Sequence, residues 1–459
     1  MKSQRKFPRP EPRKLGNVLI IAFMLLSLCL LSLIKALYCS TPYGKSDGPL
    51  KLELERQKSL KMVTNNTSQS AVQTEISNVV DLSKPICFES SRKSNTCDAQ
   101  GDIRVEGITQ TIFVHPMQQE WKIRPYARKH DQAALDSVKE WTLRPFSGGG
   151  RPPPRCTTSH SVPALVFSNA GFTGNLFHDY TDVLIPLFIS SYQFHGEVQF
   201  LVSGLKSWWV DKFILFLKQL SKYEIIDIDA DREIRCFPRV VVGPAFHKQL
   251  GVDPSKTPTR YSILDFKRVL KDAYGLKRSI VEPRRRPRLL IISRKGTRKF
   301  MNEGAMAEMA TKLGFDVKIG EADMNTDMAT FARMVNSIDV MIGVHGAGLT
   351  NMVFLPLGAV VIQVVPYGGL DWLAKETFRA PAKEMGIKYM EYKIQVDETT
   401  LSEQYKGSHP VLKNPHSIQK QGWDTIKTVY LDKQNVRPHL GRLKNTLMQA
   451  LKLLPQRQN

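Results

Sequence analysis

Cysteine is scarce, with six in 459 residues, and no two of them form a C-x-x-C pair. The usual markers of a zinc ribbon or a thioredoxin-type redox site are therefore missing. So are G-x-G-x-x-G and the P-loop, the fingerprints of dinucleotide-binding and Walker-type phosphate sites. No segment repeats at a fixed period and no heptad run appears, which removes solenoids and coiled coils. Past residue 38 no apolar run is long enough to cross a bilayer. Acid is also in short supply: 43 Asp and Glu stand against 65 Lys and Arg, a formal net charge of +22. A chain that basic invites nucleic acid, an anionic polysaccharide or a phosphate-bearing substrate.

One long apolar run is present. Val18 to Ile34, VLIIAFMLLSLCLLSLI, holds 17 uncharged residues, and extension to Tyr38 brings it to 21. As a helix that crosses roughly 30 Å of hydrocarbon, with Lys35 able to snorkel. Six cations precede it (Lys2, Arg5, Lys6, Arg9, Arg13, Lys14) against Glu11 alone. The positive-inside rule then keeps residues 1–17 cytosolic, makes 18–38 a signal anchor and sends the rest to a lumen. The apolar core is longer than that of a signal peptide, and no small-x-small cleavage site follows cleanly. A single-pass type II membrane protein is expected, and its anchor argues against nucleic acid as the partner.

Cysteine usage agrees with that compartment. Cys29 and Cys39 lie in or beside the span, leaving Cys87, Cys97, Cys156 and Cys236, an even number for an oxidising lumen. Four cysteines allow three pairings, of which Cys87–Cys97 and Cys156–Cys236 are the expected ones. Asn65-Asn66-Thr67-Ser68 holds two overlapping glycosylation sequons, at Asn65 and Asn66. They suit an exposed stem over residues 39–84, which is polar and patternless.

The remainder exceeds what one hydrophobic core usually holds, so two domains are expected, 85–282 and 283–459. In the first, strands are predicted at Ala164–Phe167, Val198–Val202, Ile225–Ile226 and Val240–Val242, with helices at Leu176–Phe194 and Trp208–Leu220. Pro186 should kink or end the earlier helix. In the second, strands at Leu289–Ile292, Asp316–Ile319, near Val340 and at Val360–Val365 alternate with helices near Glu303–Leu313 and Met328–Ser337. Alternation of this kind implies parallel sheets, hence an α/β fold of two facing, doubly wound domains. The run Arg284-Arg285-Arg286-Pro287-Arg288 reads as a solvated linker between them.

The most informative stretch is Gly343-Val344-His345-Gly346-Ala347-Gly348-Leu349-Thr350-Asn351. A buried strand that turns through small residues into a helix start leaves backbone N–H groups free, and an anion fits there. His345 adds a side-chain donor. Arg294 and Arg298, four apart after another strand, present guanidinium groups that bind phosphate as a fork. Together they make a diphosphate clamp. On the other half, Gly174 and Asn175 suit the N-cap of the first long helix. His178 and Asp182, four apart, share a face of it, where a carboxylate orients an imidazole as a general base requires. Asp179 points elsewhere and is the reserve candidate. Asp227-Ile228-Asp229-Ala230-Asp231 contains two D-x-D triplets, read here as an acidic turn and not a metal site. In the turn Pro366–Trp372, Asp371 and Trp372 are placed either against a sugar or, for the tryptophan, in a buried core.

Taken together, Gly174–Asp182, Ile292-Ser293-Arg294 with Arg298, the His345 loop and the Pro366–Trp372 turn resemble glycosyltransferase family 61, most closely the plant clade that decorates xylan. The resemblance covers roughly Lys84 to the C-terminus. It implies a Golgi type II enzyme with a GT-B fold of two Rossmann-like domains, a UDP-sugar donor, inversion at the anomeric carbon and no obligatory metal or other cofactor. The wider family's N-x-x-H-x-x-x-D pattern falls on Asn175, His178 and Asp182. Arg294, Arg298, His345, Gly346, Ala347, Gly348 and Asn351 are then expected on the donor. Asn175, Asp179, Asp371 and Trp372 are expected on the acceptor side. The expected reaction is transfer of a xylosyl branch from UDP-xylose to xylan, with UDP-arabinofuranose as the alternative donor. Glycoprotein glycans as acceptor, and a non-catalytic polysaccharide-binding Golgi protein, are the further alternatives.

Overall fold

The computed structural model describes residues 86–146, 152–321 and 327–456. The expected cytosolic tail, membrane span and stem, with Asn65 and Asn66, lie outside the described residues. Among the described residues no helix is long and apolar enough to cross a membrane.

The architecture is mixed α/β, built on two sheets. The first comprises β1 (Cys87–Ser91), β2 (Ser94–Glu106), β3 (Thr111–His115), β4 (Trp121–Ile123), β5 (Trp141–Pro145), β6 (Thr158–Ser159), β7 (Ala164–Ser168), β8 (Gln199–Ser203), β9 (Ile226–Asp227) and β10 (Ile234–Val242). Its path is β4-β5-β3-β2-β10-β7-β8-β9, with β1 on β2 and β6 on β10. The β10-β7-β8-β9 portion is parallel, as the alternation implies. β7 is buried at every position, the mark of a strand covered on both faces.

The expectation of a purely parallel sheet fails on the other side. β2 runs antiparallel to both β10 and β3, so the sheet is mixed. These N-terminal strands escape detection because polar residues occupy buried places: Ser94 and Thr96 of β2 are both buried, which blurs the period-two signal. Cys87 lies directly opposite Cys97 in the β1–β2 pair and is disulfide-bonded to it. Cys156 is bonded to Cys236 of β10.

The second sheet is wholly parallel, in the order β12-β11-β13-β14-β15. Its strands are β11 (Arg288–Ile292), β12 (Asp316–Gly320), β13 (Val340–Val344), β14 (Val360–Val365) and β15 (Lys388–Lys393). β13 and β14 are fully buried, whereas the edge strand β12 exposes Asp316 and Lys318, charges that discourage edge pairing. Four of the longer helices are α1 (Ser207–Leu220), α2 (Ile263–Tyr274), α3 (Glu303–Lys312) and α4 (Met328–Asn336). Ser262 and Asp265 form a capping box at the start of α2, and Gly275 closes it at φ 62°. α2 packs on α1, on α4 and on the turn Ala347–Phe354. Tyr180 meets Phe213, Phe266 and Phe354 edge-on at centroid distances of 6.0, 6.2 and 6.0 Å. The buried apolar core thus runs without a break from the helices of the first sheet to those of the second.

The arginine-rich run is solvated in part: Arg285 and Arg286 are exposed, but Arg288, with Arg278 before the run, is tied into the second sheet. Arg288 N–H and Arg278 Nη2 donate to the buried carboxylate of Asp339 at 2.8 and 2.6 Å, and Arg284 Nε lies 3.8 Å from it. Arg286 Nη2 donates to the Phe315 carbonyl at 3.1 Å. A buried carboxylate needs such partners, and Asp339, at the foot of β13, recruits them.

Candidate active site

The Leu176–His178 helix turn begins where the sequence indicates. Asn175 caps it, its side chain accepting Phe177 N–H at 3.1 Å. Pro186 does not end the helix. The backbone widens to a π-helical turn over Asp179–Leu184 and resumes as α-helix at Ile185–Ser191. Proline brings no N–H for a carbonyl four residues back, so the preceding turn relaxes instead.

His178 and Asp182 are joined as expected: Nδ1 lies 2.7 Å from Oδ2. An ionised carboxylate only accepts, so Nδ1 carries a proton, and in the neutral ring Nε2 then presents a lone pair. No hydrogen bond occupies Nε2 among the described residues, and the side chain is 19% exposed. The ring is seated between Phe172 and Phe177, at centroid distances of 4.8 and 5.5 Å.

Asp182 is fully buried and serves more than the histidine. Arg128 Nε donates to the same Oδ2 at 2.6 Å and the Tyr126 hydroxyl at 3.3 Å. Neither residue stands in a motif, and sequence reasoning missed both. Arg128 adopts φ 84°, a left-handed conformation held because its N–H donates to the Lys93 carbonyl, at 2.6 Å, in the β1–β2 turn. Lys93 is half-buried and close enough to Arg128 and Asp182 to feel both charges; burial, then the neighbouring guanidinium, pushes its ammonium pKa down. The antiparallel strands that the sequence concealed therefore secure the His178–Asp182 pair from behind.

Asp179 points away from this pair. Its Oδ1 accepts Gly174 N–H at 2.9 Å and Trp209 Nε1–H at 3.0 Å. Burial raises its pKa to about 6, against the lowering effect of those two bonds. It braces the turn that feeds the helix.

On the second sheet the two segments expected on the donor converge. Arg294 and Arg298 follow β11, and the His345 loop follows β13, the strand beside it. A Cβ on Gly346 would sit 2.8 Å from Arg294 Nη1 and 3.1 Å from Arg298 Nη1, at φ 144°. Glycine is required there so that both guanidinium groups can close on the backbone. Arg298, at φ 58°, donates Nη1 to the His345 carbonyl at 2.9 Å, and Arg294 Nε donates to the Thr297 carbonyl at 2.8 Å. Among the described residues neither pairs with a carboxylate within 4 Å. Burial lowers both pKa values, that of Arg298 to about 10 with help from Arg294. Two partly desolvated, unpaired cations side by side are costly without an anion.

His345 is 6% exposed and accepts at Nδ1 from Gln363 Nε2 at 2.7 Å. Burial, then Arg298 and Arg294, pushes its pKa down to about 3, so the ring is neutral. The segment Ala347–Phe354 is a 3-10 helix, tighter than the α-helix start the sequence implies. Gly348 is needed because a Cβ there would meet Ile292 Cγ2 at 2.8 Å. Asn351 is buried and turns its amide back to the Gly348 carbonyl at 2.9 Å, bracing the loop.

The two halves of the site are neighbours. The Leu176–His178 turn packs against Ala347–Phe354. An aromatic relay spans the same gap, Phe177 to Phe378 at 5.8 Å and Phe378 to His345 at 5.6 Å. Asp371 and Trp372 are not brought into it: no hydrogen bond or ring contact joins either to His178, Arg294 or His345 among the described residues. Asp371 is ion-paired with Lys393, and Trp372 is 43% exposed, which removes the buried-core reading of that tryptophan. The D-x-D segment is a turn whose carboxylates are engaged internally. Asp229 Oδ2 accepts Gly204 N–H at 2.5 Å and lies 3.2 Å from Lys139 Nζ, and Asp231 is paired with Arg235.

The family model described as Glycosyltransferase 61 matches residues 166–362, a span that holds His178, Asp182, both arginines and the His345 loop. The chain is 44% identical over 394 residues to alpha-1,3-arabinosyltransferase XAT3 of Oryza sativa subsp. japonica, covering 84% of this chain and 68% of that one. It is 39% identical over 394 residues to beta-1,2-xylosyltransferase XYXT1 of the same plant, covering 80% and 84%. It is 35% identical over 419 residues to the xylan glycosyltransferase MUCI21 of Arabidopsis thaliana, covering 85% and 84%.

Proposed function

Because the chain belongs to glycosyltransferase family 61, we propose that its two sheets form the facing halves of a GT-B enzyme that adds a xylosyl branch from UDP-xylose to xylan. It is a glycosyltransferase; the donor sugar and the roles of individual residues are our reading. The observation that carries the reading is the pair of guanidinium groups without carboxylate partners, closed on Gly346 and set beside the helix turn that bears His178.

In this mechanism the diphosphate of the donor lies against Arg294, Arg298 and the His345–Gly348 turn. An acceptor hydroxyl oxygen attacks the anomeric carbon while the bond from that carbon to the phosphate oxygen breaks. The hydroxyl proton passes to His178 Nε2, and the electron pair leaves with UDP, whose growing charge the two arginines stabilise. A single displacement of this kind inverts the anomeric centre. The arginines supply the positive charge that a divalent cation provides elsewhere, so chelation with EDTA should leave the rate within about twofold. A strict manganese requirement would overturn that part.

Arabinofuranosyl transfer is the second reading, favoured by the 44% identity to an arabinosyltransferase. The decisive experiment offers the full-length protein xylooligosaccharides with one UDP-sugar at a time and measures the mass of the product. A pentose added only from UDP-xylose supports the proposal. Addition only from UDP-arabinofuranose selects the second reading, and no transfer from either defeats both. We further propose that residues 1–38 anchor the enzyme in the Golgi membrane with residues 39–459 luminal. Glycosylation at Asn65 or Asn66 would report that orientation.

A further inference from the structure

Gln434 is buried in a C-terminal segment that no motif marks. Its amide is fully matched, and backbone groups fix which way round it lies. Oε1 accepts the Tyr367 N–H and the Thr399 hydroxyl, both at 3.1 Å. Nε2 donates to the carbonyls of Tyr367, at 2.8 Å, and Tyr430, at 2.6 Å. An N–H can only donate and a carbonyl can only accept, so the amide cannot flip. It thereby grips both backbone groups of Tyr367, in the turn that follows β14. Gly368, next along at φ 126°, leaves room for the Tyr430 ring, which a Cβ would meet at 2.5 Å. The backbone of the same segment holds a second loop. Arg298 N–H donates to the Gln434 carbonyl at 2.8 Å, Val436 N–H to the Lys299 carbonyl at 2.9 Å and Met301 N–H to the Val436 carbonyl at 2.8 Å. Lys299 N–H donates to Asn435 Oδ1 at 3.0 Å. Residues 434–436 therefore line the loop after β11 as an added strand would.

We propose that Gln434 is a positioning residue of the donor pocket, setting the Arg298 guanidinium against the diphosphate. β11, β13 and β14 lie side by side, so their loops are neighbours. Gln434 joins the loop after β14 to the loop after β11, on either side of the His345 loop. Arg298 needs such a tether. Its φ of 58° is left-handed, which a non-glycine residue keeps only where its surroundings impose it. The N–H that points to Gln434 fixes that backbone, and the side chain then reaches the His345 carbonyl with Nη1 at 2.9 Å. Released from residue 434, the backbone can return to the ordinary region, which turns the guanidinium off Gly346. The turn after β14 thus serves the clamp at one remove, through the glutamine it seats. The inference rests on the donor-pocket reading given above.

A double-mutant cycle on the full-length protein tests it, with UDP affinity measured by calorimetry. Gln434→Met keeps the side-chain volume and removes the amide. UDP binding should weaken on the order of tenfold, while the KM for the acceptor oligosaccharide stays within about twofold. Introduced beside Arg298→Ala, the same substitution should cost less than about twofold, because the group it positions is gone. A loss that persists undiminished beside Arg298→Ala overturns the proposal, as does no loss in the single variant. So does an acceptor KM that rises in step with the UDP dissociation constant, the mark of general loosening. Should Gln434→Met fail to fold, Asn435→Ala takes its place in the cycle, since it removes the Oδ1 that accepts the Lys299 N–H. It should weaken UDP binding several-fold, and an unchanged affinity, or a loss that persists beside Arg298→Ala, overturns the proposal equally. Arg298→Ala by itself separates the two levels of the argument: unchanged UDP binding there defeats the donor-pocket reading. Weakened binding there, with Gln434→Met and Asn435→Ala both without effect, defeats only the role of Gln434.

Discussion

At the scale of single residues the site depends on how each titratable group is partnered. His178→Ala should reduce turnover by at least about a hundredfold, the usual contribution of a general base, and leave the UDP dissociation constant unchanged. A variant that keeps most of its turnover would remove His178 from the mechanism. Asp179 makes a second prediction. Its folded pKa of about 6 lies above the ordinary 3.8, chiefly through burial. Below about pH 3 the carboxyl is neutral in both folded and unfolded chains and has no effect. As pH rises from about 3 to about 7 the unfolded chain ionises first, so this residue withdraws up to about 3 kcal/mol of stability. Asp179→Asn should therefore lose less of its melting temperature across that range than the unaltered protein. Parallel melting curves against pH would refute the burial argument. The pairing of His178 with Asp182 was legible in the sequence, because four residues along a helix share a face, and so was the approach of Arg294 and Arg298 to the His345 loop, because both segments follow neighbouring parallel strands. Arg128, Tyr126 and Gln363 were not, because an arginine in a loop or a glutamine in a strand means nothing until its partner is known.

At the scale of elements, glycine and proline decide the backbone. Gly346→Ala puts a methyl group 2.8 Å from Arg294 Nη1 and 3.1 Å from Arg298 Nη1, in a conformation that L-residues avoid. The arginines must give way, and UDP affinity should fall on the order of tenfold while folding persists. Equal affinity would mean that the guanidinium groups close on Gly346 for structural reasons alone. The parallel strands β7, β8, β11, β13 and β14 were predictable as short apolar runs, and α1, α3 and α4 as periodic ones. The π-helical turn before Pro186 was not, since a missing N–H can be absorbed by ending, kinking or widening a helix. The surrounding packing of Asp179 to Leu184 selects the last of these.

At the scale of the whole molecule, the two disulfides stiffen unequal lengths of chain. Cys156–Cys236 has a sequence separation of 80 and Cys87–Cys97 one of 10. Loop-closure entropy then predicts that opening the longer loop costs about 2 kcal/mol more than opening the shorter. Cys156→Ser with Cys236→Ser should therefore melt below Cys87→Ser with Cys97→Ser. The reverse order would show that the short bridge, behind the turn that holds Arg128, matters through the native site and not through the unfolded chain. The antiparallel flank that contains this bridge was invisible beforehand, because its buried positions include Ser94 and Thr96, and a pattern needs contrast to be seen.

By itself the sequence determined the alternation of strand and helix, the glycine loop at a strand end and the histidine–aspartate face, since these are properties of neighbours along the chain. Only the tertiary structure decided which groups at distant positions close on one another: Arg128 on Asp182, both arginines on Gly346, and Gln363 on His345. Spacing within a segment follows from helix and strand geometry. Partnership across segments follows from packing, where the cost of leaving a buried polar group unmatched selects one arrangement among many.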